Sequence, residues 1–164
     1  MTILGVDPGL ATMGWGIIES DGSRHRMRGY GALITKPVQT MPERLRQVFD
    51  GVAELLRIYA PDAVAFEELF FSKNVTTAMA VGAARGVAML AAARHTSELF
   101  EYTPMQVKQA ITGYGKADKQ QMQWMVRVLL NLSEIPKPDD AADALAVAIA
   151  HAHTGRSADE FRIK

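Results

Sequence analysis

Four acidic residues occupy positions where acidic side chains are awkward. Asp7 ends an apolar stretch, 2–6, and Glu67 follows Ala63-Val64-Ala65-Phe66. Asp140 and Asp143 interrupt or border a run of alanines and aliphatics, 141–149. A charge among core-facing residues is costly unless it is paired or binds a cation. No Lys or Arg lies between 138 and 154 to pair with either aspartate locally. Three apart on a helix, Asp140 and Asp143 share a face, with Cβ atoms about 5–6 Å apart. Oxygen donors without Cys or paired His favour hard cations such as Mg²⁺ or Mn²⁺. Two such ions about 3.5–4 Å apart activate a water and stabilise the leaving oxygen in phosphodiester cleavage. That chemistry needs no covalent nucleophile, which suits a chain without cysteine.

Each acid taken singly has a plainer role. An Asp at a strand end is commonly a turn former or a helix cap. Asp140 lies near a helix start after Pro138, so capping competes there, and Asp139 is an alternative to it because Asp139 and Asp143 are one turn apart. Glu68 competes with Glu67, although alternation along a strand lets only one of them face the site. His151 is eight residues beyond Asp143, roughly 12 Å along a helix, too far for a shared cation. His151 and His153 are expected to be ordinary helix residues, and His25 and His95 surface residues.

The elements that must position these acids follow from periodicity. Short β-rich stretches at 2–6, 13–18 and 27–35, separated by Asp7-Pro8-Gly9 and Ser20-Asp21-Gly22-Ser23, predict an antiparallel meander. Leu45, Val48, Phe49, Val52, Leu55, Leu56 and Tyr59 recur at helical spacing. A strand at 63–66 leads to a loop at 69–74, a helix rich in small residues at 76–94 and a parallel strand at 99–102. Helices are expected at 104–111, 119–130 and 138–153, with a flexible basic loop at 113–116. The order βββαβαβααα is a mixed sheet with helices on its faces. No linker or repeat divides it, so 1–154 is expected to be one domain, followed by a polar tail, 155–164, that is a candidate for disorder.

Composition adds limits. The chain has 164 residues and a formal net charge of zero, which gives no positive support for nucleic-acid binding. The charge is uneven: between 69 and 133 seven basic residues face three acidic ones, so that segment is +4 and the remainder −4. Bound divalent cations would cancel the charge of the four carboxylates. The absence of cysteine fits a reducing, cytoplasmic compartment. The start lacks a basic segment followed by a long apolar one, so no signal peptide is expected. The most apolar stretch, 78–93, is mostly alanine and is broken by Gly82, Arg85 and Gly86, which argues against a membrane span.

Five segments, GVDPGLATMGWGII, AFEELFFSKN, ARGVAMLAA, YTPMQVKQAITGYGKADKQQMQWMV and DDAADALAVAIAH, together span nearly the whole chain. In this order they closely resemble the RuvC family of Holliday-junction endonucleases. The resemblance implies a ribonuclease-H-like α/β fold, a five-stranded mixed sheet flanked by helices. It implies four metal-binding carboxylates, Asp7, Glu67, Asp140 and Asp143, holding two Mg²⁺ or Mn²⁺ ions, with Asp7 shared. It selects Asp140 over Asp139 and Glu67 over Glu68. It implies hydrolysis that leaves a 5′-phosphate and a 3′-hydroxyl. Lys108 and Lys119 match lysines beside the site that bind phosphate or stabilise transition-state charge. Phe70 matches an aromatic that contacts distorted bases at the crossover. Tyr114, between two glycines, is a further stacking candidate, and Lys73 and Lys116 are further DNA contacts. The resemblance also implies a homodimer, closed over the 76–94 helix, that nicks two strands of one four-way junction symmetrically, and a branch-migration motor as partner. The alternatives are an RNA–DNA hybrid nuclease on the same fold, an actin-like nucleotide-binding protein and a catalytically silent junction-binding module.

Overall fold

A computed structural model of the chain describes residues 1–69 and 75–164. Strands β1 (Thr2–Asp7), β2 (Thr12–Ser20) and β3 (His25–Ile34) form the expected antiparallel meander. Helix α1 (Met41–Tyr59) leads to β4 (Ala63–Glu67), which pairs parallel to β1. Helix α2 (Val75–Ala93) crosses over to β5 (Leu99–Tyr102), parallel to β4. Helices α3 (Pro104–Thr112), α4 (Lys119–Leu129) and α5 (Asp139–Thr154) follow. The sheet order is β3-β2-β1-β4-β5. The predicted loop at 69–74, with Phe70 and Lys73, lies outside the described residues apart from Leu69.

Strand alternation divides the core in two. Leu4, Val6, Val64 and Phe66 face α1 and α2. Ile3, Ala63, Ala65, Phe100 and Tyr102 face α3, α4 and α5. The same parity puts Asp7 on the side of Ile3, and Glu67 on the side of Ala63 and Ala65. Helix α5 fills the centre of that second layer. From Ala141 to Ala152 all but Asp143 are buried, so this helix is apolar nearly all round, as a central core helix must be.

Helices α3 and α4 are fixed at their starts by capping boxes. Thr103 bonds reciprocally with Gln106, and Asp118 with Gln121. Asp118 is therefore spent on its helix. Helix α2 packs on α1 through Ala84, Ala88, Ala91 and Ala92 and leaves Val75, Met79 and Leu90 more than half exposed. It is long and apolar enough, by length and composition alone, to cross a membrane. Within it, Arg85 reaches across to Glu101 on β5 in an ion pair.

The C-terminal tail corrects the sequence reading. It is not a disordered appendage. Gly155–Phe161 forms a 3₁₀ helix, Arg162 bridges Phe100, and Ile163 N–H donates to the Leu99 carbonyl at 2.9 Å. Phe161 stacks on Tyr102 with ring centres 4.8 Å apart. Arg162 makes a two-pronged bond to Glu98, both arms 2.9 Å, and lies over the Phe100 ring. Polar composition concealed two apolar anchors and one fork-shaped ion pair. Ending the chain after Thr154 should uncover Phe100 and Tyr102 and cost about 1.5–3 kcal/mol. Thermal unfolding checks this, because each kcal/mol moves the midpoint of a domain this size by roughly 2–4 °C. An unchanged midpoint would show that the tail is not part of the fold.

Candidate active site

The site forms where three elements end together. Asp7 is the last residue of β1 and Glu67 the last of β4, on adjacent parallel strands. Asp140 and Asp143 come from the first turns of α5. The approach of α5 depends on missing side chains in the sheet below it. A Cβ on Gly5 would lie 2.0 Å from the Ala144 carbonyl oxygen. One on Gly14 would lie 2.0 Å from the Asp140 carbonyl oxygen. Gly14 is the register partner of Asp7, so the residue opposite Asp7 is the one on which Asp140 rests.

The four carboxyl groups act on one another. Burial pushes the Asp7 carboxyl up to about 8, helped by the charges of Glu67, Asp143 and Asp140 and by a hydrogen bond shared with Glu67. Burial also raises Glu67, with the Asp143 charge adding to it, while the bond to Asp7 and the Lys108 ammonium pull it back. Burial raises Asp143, and Lys119 opposes that rise. Lys119 Nζ is 3.7 Å from Asp143 and 3.1 Å from Asp139. Glu67, Asp143, Lys108 and Lys119 line a cleft of about 240 Å³, closed by Pro104 and Met122.

The chain matches the model of the crossover junction endodeoxyribonuclease RuvC over residues 3–151. It is 57% identical over 164 residues, the whole of both chains, to a protein of that name from Alkaliphilus oremlandii. It is 62% identical to the one from Rubrobacter xylanophilus over 94% of this chain and 86% of that one. The chain belongs to the RuvC family. Its fold superposes on Thermus thermophilus RuvC in complex with a Holliday junction substrate with a TM-score of 0.91, at 38% identity over 96% of each chain.

The acids expected from the RuvC resemblance are the ones that the fold brings together. The capping alternative for Asp140 fails, because Pro138 holds the cap position and no side chain caps the helix. Glu68 is exposed where Glu67 is half-buried. Asp139 has a role that spacing did not reveal. Lys137 bonds it at 2.7 Å, and Lys137, Lys119 and Gln123 hold its carboxyl well below the usual range. It anchors Lys119 at the edge of the cleft. Lys116 is exposed on the α3–α4 loop, and Tyr114 lines a separate open hollow with Trp124 and Met125. Trp124, half-exposed beside Tyr114, was not singled out in the sequence, since a Trp on an amphipathic helix reads as core. His151 is buried, its Nδ1 bonded to the Tyr102 hydroxyl at 2.8 Å, and burial lowers its pKa to about 4.

Two outcomes follow. Gly14→Ala should push Asp140 off its seat. Overpacking of this kind costs about 1–3 kcal/mol, and thermal unfolding together with cleavage assays would show both losses. Asp7→Asn should do the opposite to stability when divalent metal is chelated. In the fold the carboxyl retains its proton from 3.8, its ordinary value, up to about 8. The unfolded chain therefore releases it first, and the fold loses stability as pH rises through that window. An amide carries no such charge, so the variant's unfolding midpoint at neutral pH in chelator should exceed the parent's. A lower midpoint would contradict the repulsion.

Proposed function

We propose that this chain is a crossover junction endodeoxyribonuclease that resolves four-way DNA junctions by symmetric paired nicks in DNA recombination and repair. The observation that carries the reading is the Asp7 carboxyl: half-buried, flanked by three other acids, and pushed up to about 8. Even with Lys108 and Lys119 in its lining, a site built this way is short of positive charge. Divalent cations fit the deficit, because the donors are all carboxylate oxygens. Among the described residues no three His, Cys, Asp or Glu side chains form a ready-made chelate. Asp7, Glu67, Asp140 and Asp143 would hold them, two Mg²⁺ or Mn²⁺ per site, with Asp7 shared. The ions would supply an activated water and charge stabilisation at the leaving oxygen.

The protein's own part is positioning. Lys108 and Lys119 flank the cleft and bind the phosphate under attack, and Asp139 holds Lys119 in place. The α3–α4 loop, with Lys116 and Tyr114, extends the contact along DNA, as do Phe70 and Lys73. The products are a 5′-phosphate and a 3′-hydroxyl. The exposed apolar face of α2, where Gly82 and Gly86 have open space around them, supports closure by a second copy. A two-fold pair of sites matches a four-way junction. Family membership supports a branch-migration motor as partner and a cytoplasmic setting.

The test is cleavage of a four-way junction with a metal series. Asp7→Asn is expected to abolish cleavage while junction binding by gel shift persists. Lys108→Ala is expected to slow single-turnover cleavage by about 10²-fold or more, the scale for loss of one charge-stabilising group, with a smaller effect on binding. Faster cutting of an RNA–DNA hybrid duplex than of the junction would transfer the reading to a hybrid nuclease.

A further inference from the structure

One pair of side chains meets in a way that the proposed reaction does not use. His25, which opens β3, and His153, in the last turn of α5, face each other Nε2 to Nε2 at 2.9 Å. Their ring centres are 4.9 Å apart and the rings are inclined by 51°. Each far nitrogen is anchored. His153 Nδ1 lies 3.0 Å from the Ala110 carbonyl on α3. A carbonyl only accepts, so the proton is on Nδ1 and the Nε2 lone pair of His153 points at His25. His25 Nδ1 meets the Ser20 hydroxyl at 2.9 Å, and that hydroxyl also accepts from Gly22 N–H at 3.0 Å. A ring nitrogen aimed inward with its opposite nitrogen tied to a carbonyl or hydroxyl is the usual arrangement of a metal-bound histidine.

We propose that His25 and His153 form a second cation site, for a borderline-soft divalent ion such as Zn²⁺, that pins the C-terminal end of α5 to the β2–β3 hairpin and to α3. Two imidazole nitrogens at about 2.0–2.1 Å from a tetrahedral ion stand roughly 3.3 Å apart. The pair must open by only a few tenths of an ångström from 2.9 Å. His153 is exposed and His25 half-buried, so the rings can give that much. An open hollow beside His25, lined also by Met1, Glu19, Asp21 and Arg24, provides an approach from solvent. Asp21 favours positive charge on His25, against burial and His153. Arg24, Arg26 and the Met1 ammonium line the same hollow and oppose it. Water completes the coordination. The other two histidines do not compete: His151 is bonded within the core, and His95 Nε2 meets the Pro61 carbonyl at 3.2 Å. Imidazole donors separate this site from the carboxylate cleft, whose all-oxygen donors suit harder ions, and the proposal does not depend on the nuclease reading.

The test uses the full chain, depleted of metal and then held in excess Mg²⁺ to occupy the carboxylate cleft. Calorimetric titration with Zn²⁺ is expected to show one ion per chain and to raise the unfolding midpoint. His25→Ala and His153→Ala are each expected to weaken Zn²⁺ binding by at least about tenfold. Cu²⁺ in the unmodified protein is expected to give an electron paramagnetic resonance spectrum split by two imidazole nitrogens. Unchanged Zn²⁺ affinity in either variant, or coupling to fewer than two nitrogens, overturns the proposal and leaves the pair as a hydrogen bond between neutral rings. The spectrum is read on the unmodified chain, so a variant that fails to fold does not remove the test.

Discussion

The close contact of α5 with the sheet governs the rest of the molecule. A helix normally packs on a sheet at about the distance two layers of side chains require. Here Gly5 and Gly14 remove one of those layers, and α5 carbonyl and amide groups lie where Cβ atoms would otherwise be. Alanine at 141, 142, 144, 146 and 148 thins the helix from its own side. The descent brings Asp140 and Asp143 down to the level of Asp7 and Glu67. With ordinary side chains at the two glycines, the same four acids would be held apart and each would have an ordinary environment.

Proximity then creates an electrostatic problem that the fold offsets without solving it. Burial and mutual repulsion raise Asp7, Glu67 and Asp143. The opposing charges, Lys108 and Lys119, are carried on α3 and α4 rather than on the strands. Lys119 is shared, closer to Asp139 than to Asp143, both of them half-buried. Part of its attraction is thus spent on Asp139, outside the cluster. A site arranged for stability would have put an arginine among the acids. Left under-compensated, the acids cost the fold stability as pH rises through the raised Asp7 range.

Much of this was legible in the chain because it depends on local pattern. Period-two and period-3.6 spacing located the five strands and the five α-helices to within a few residues, while the 3₁₀ helix of the tail escaped it. Strand parity required that only one of Glu67 and Glu68 face the site, and the family resemblance chose Glu67. The glycines were visible, but not their purpose, since an isolated glycine in a strand also marks a bulge or a turn. What stayed hidden depends on long-range meetings. Asp139 is held by Lys119, twenty residues earlier on another helix, so spacing showed only a rival ligand. The tail hid its anchors because Phe161 and Ile163 stand among six polar residues and meet partners on β5. The His25–His153 contact joins residues 128 apart.

The two faces of the sheet also divide the labour. On one face α3, α4 and α5 surround the acids. On the other α1 and α2 build a core that ends in an unpaired apolar helix surface. β4 and β5 link the two. Glu67 ends β4 facing α5, while its neighbour Phe66 faces α2 and pairs in register with Glu101. Glu101 in turn binds Arg85 of α2, whose guanidinium is the less exposed partner of the pair. A displacement of α2 would therefore reach the strand that carries Glu67 both directly, through Phe66, and by way of β5, through the Arg85–Glu101 pair. Helix α2 and the four carboxylates are thus held to one geometry by the sheet between them.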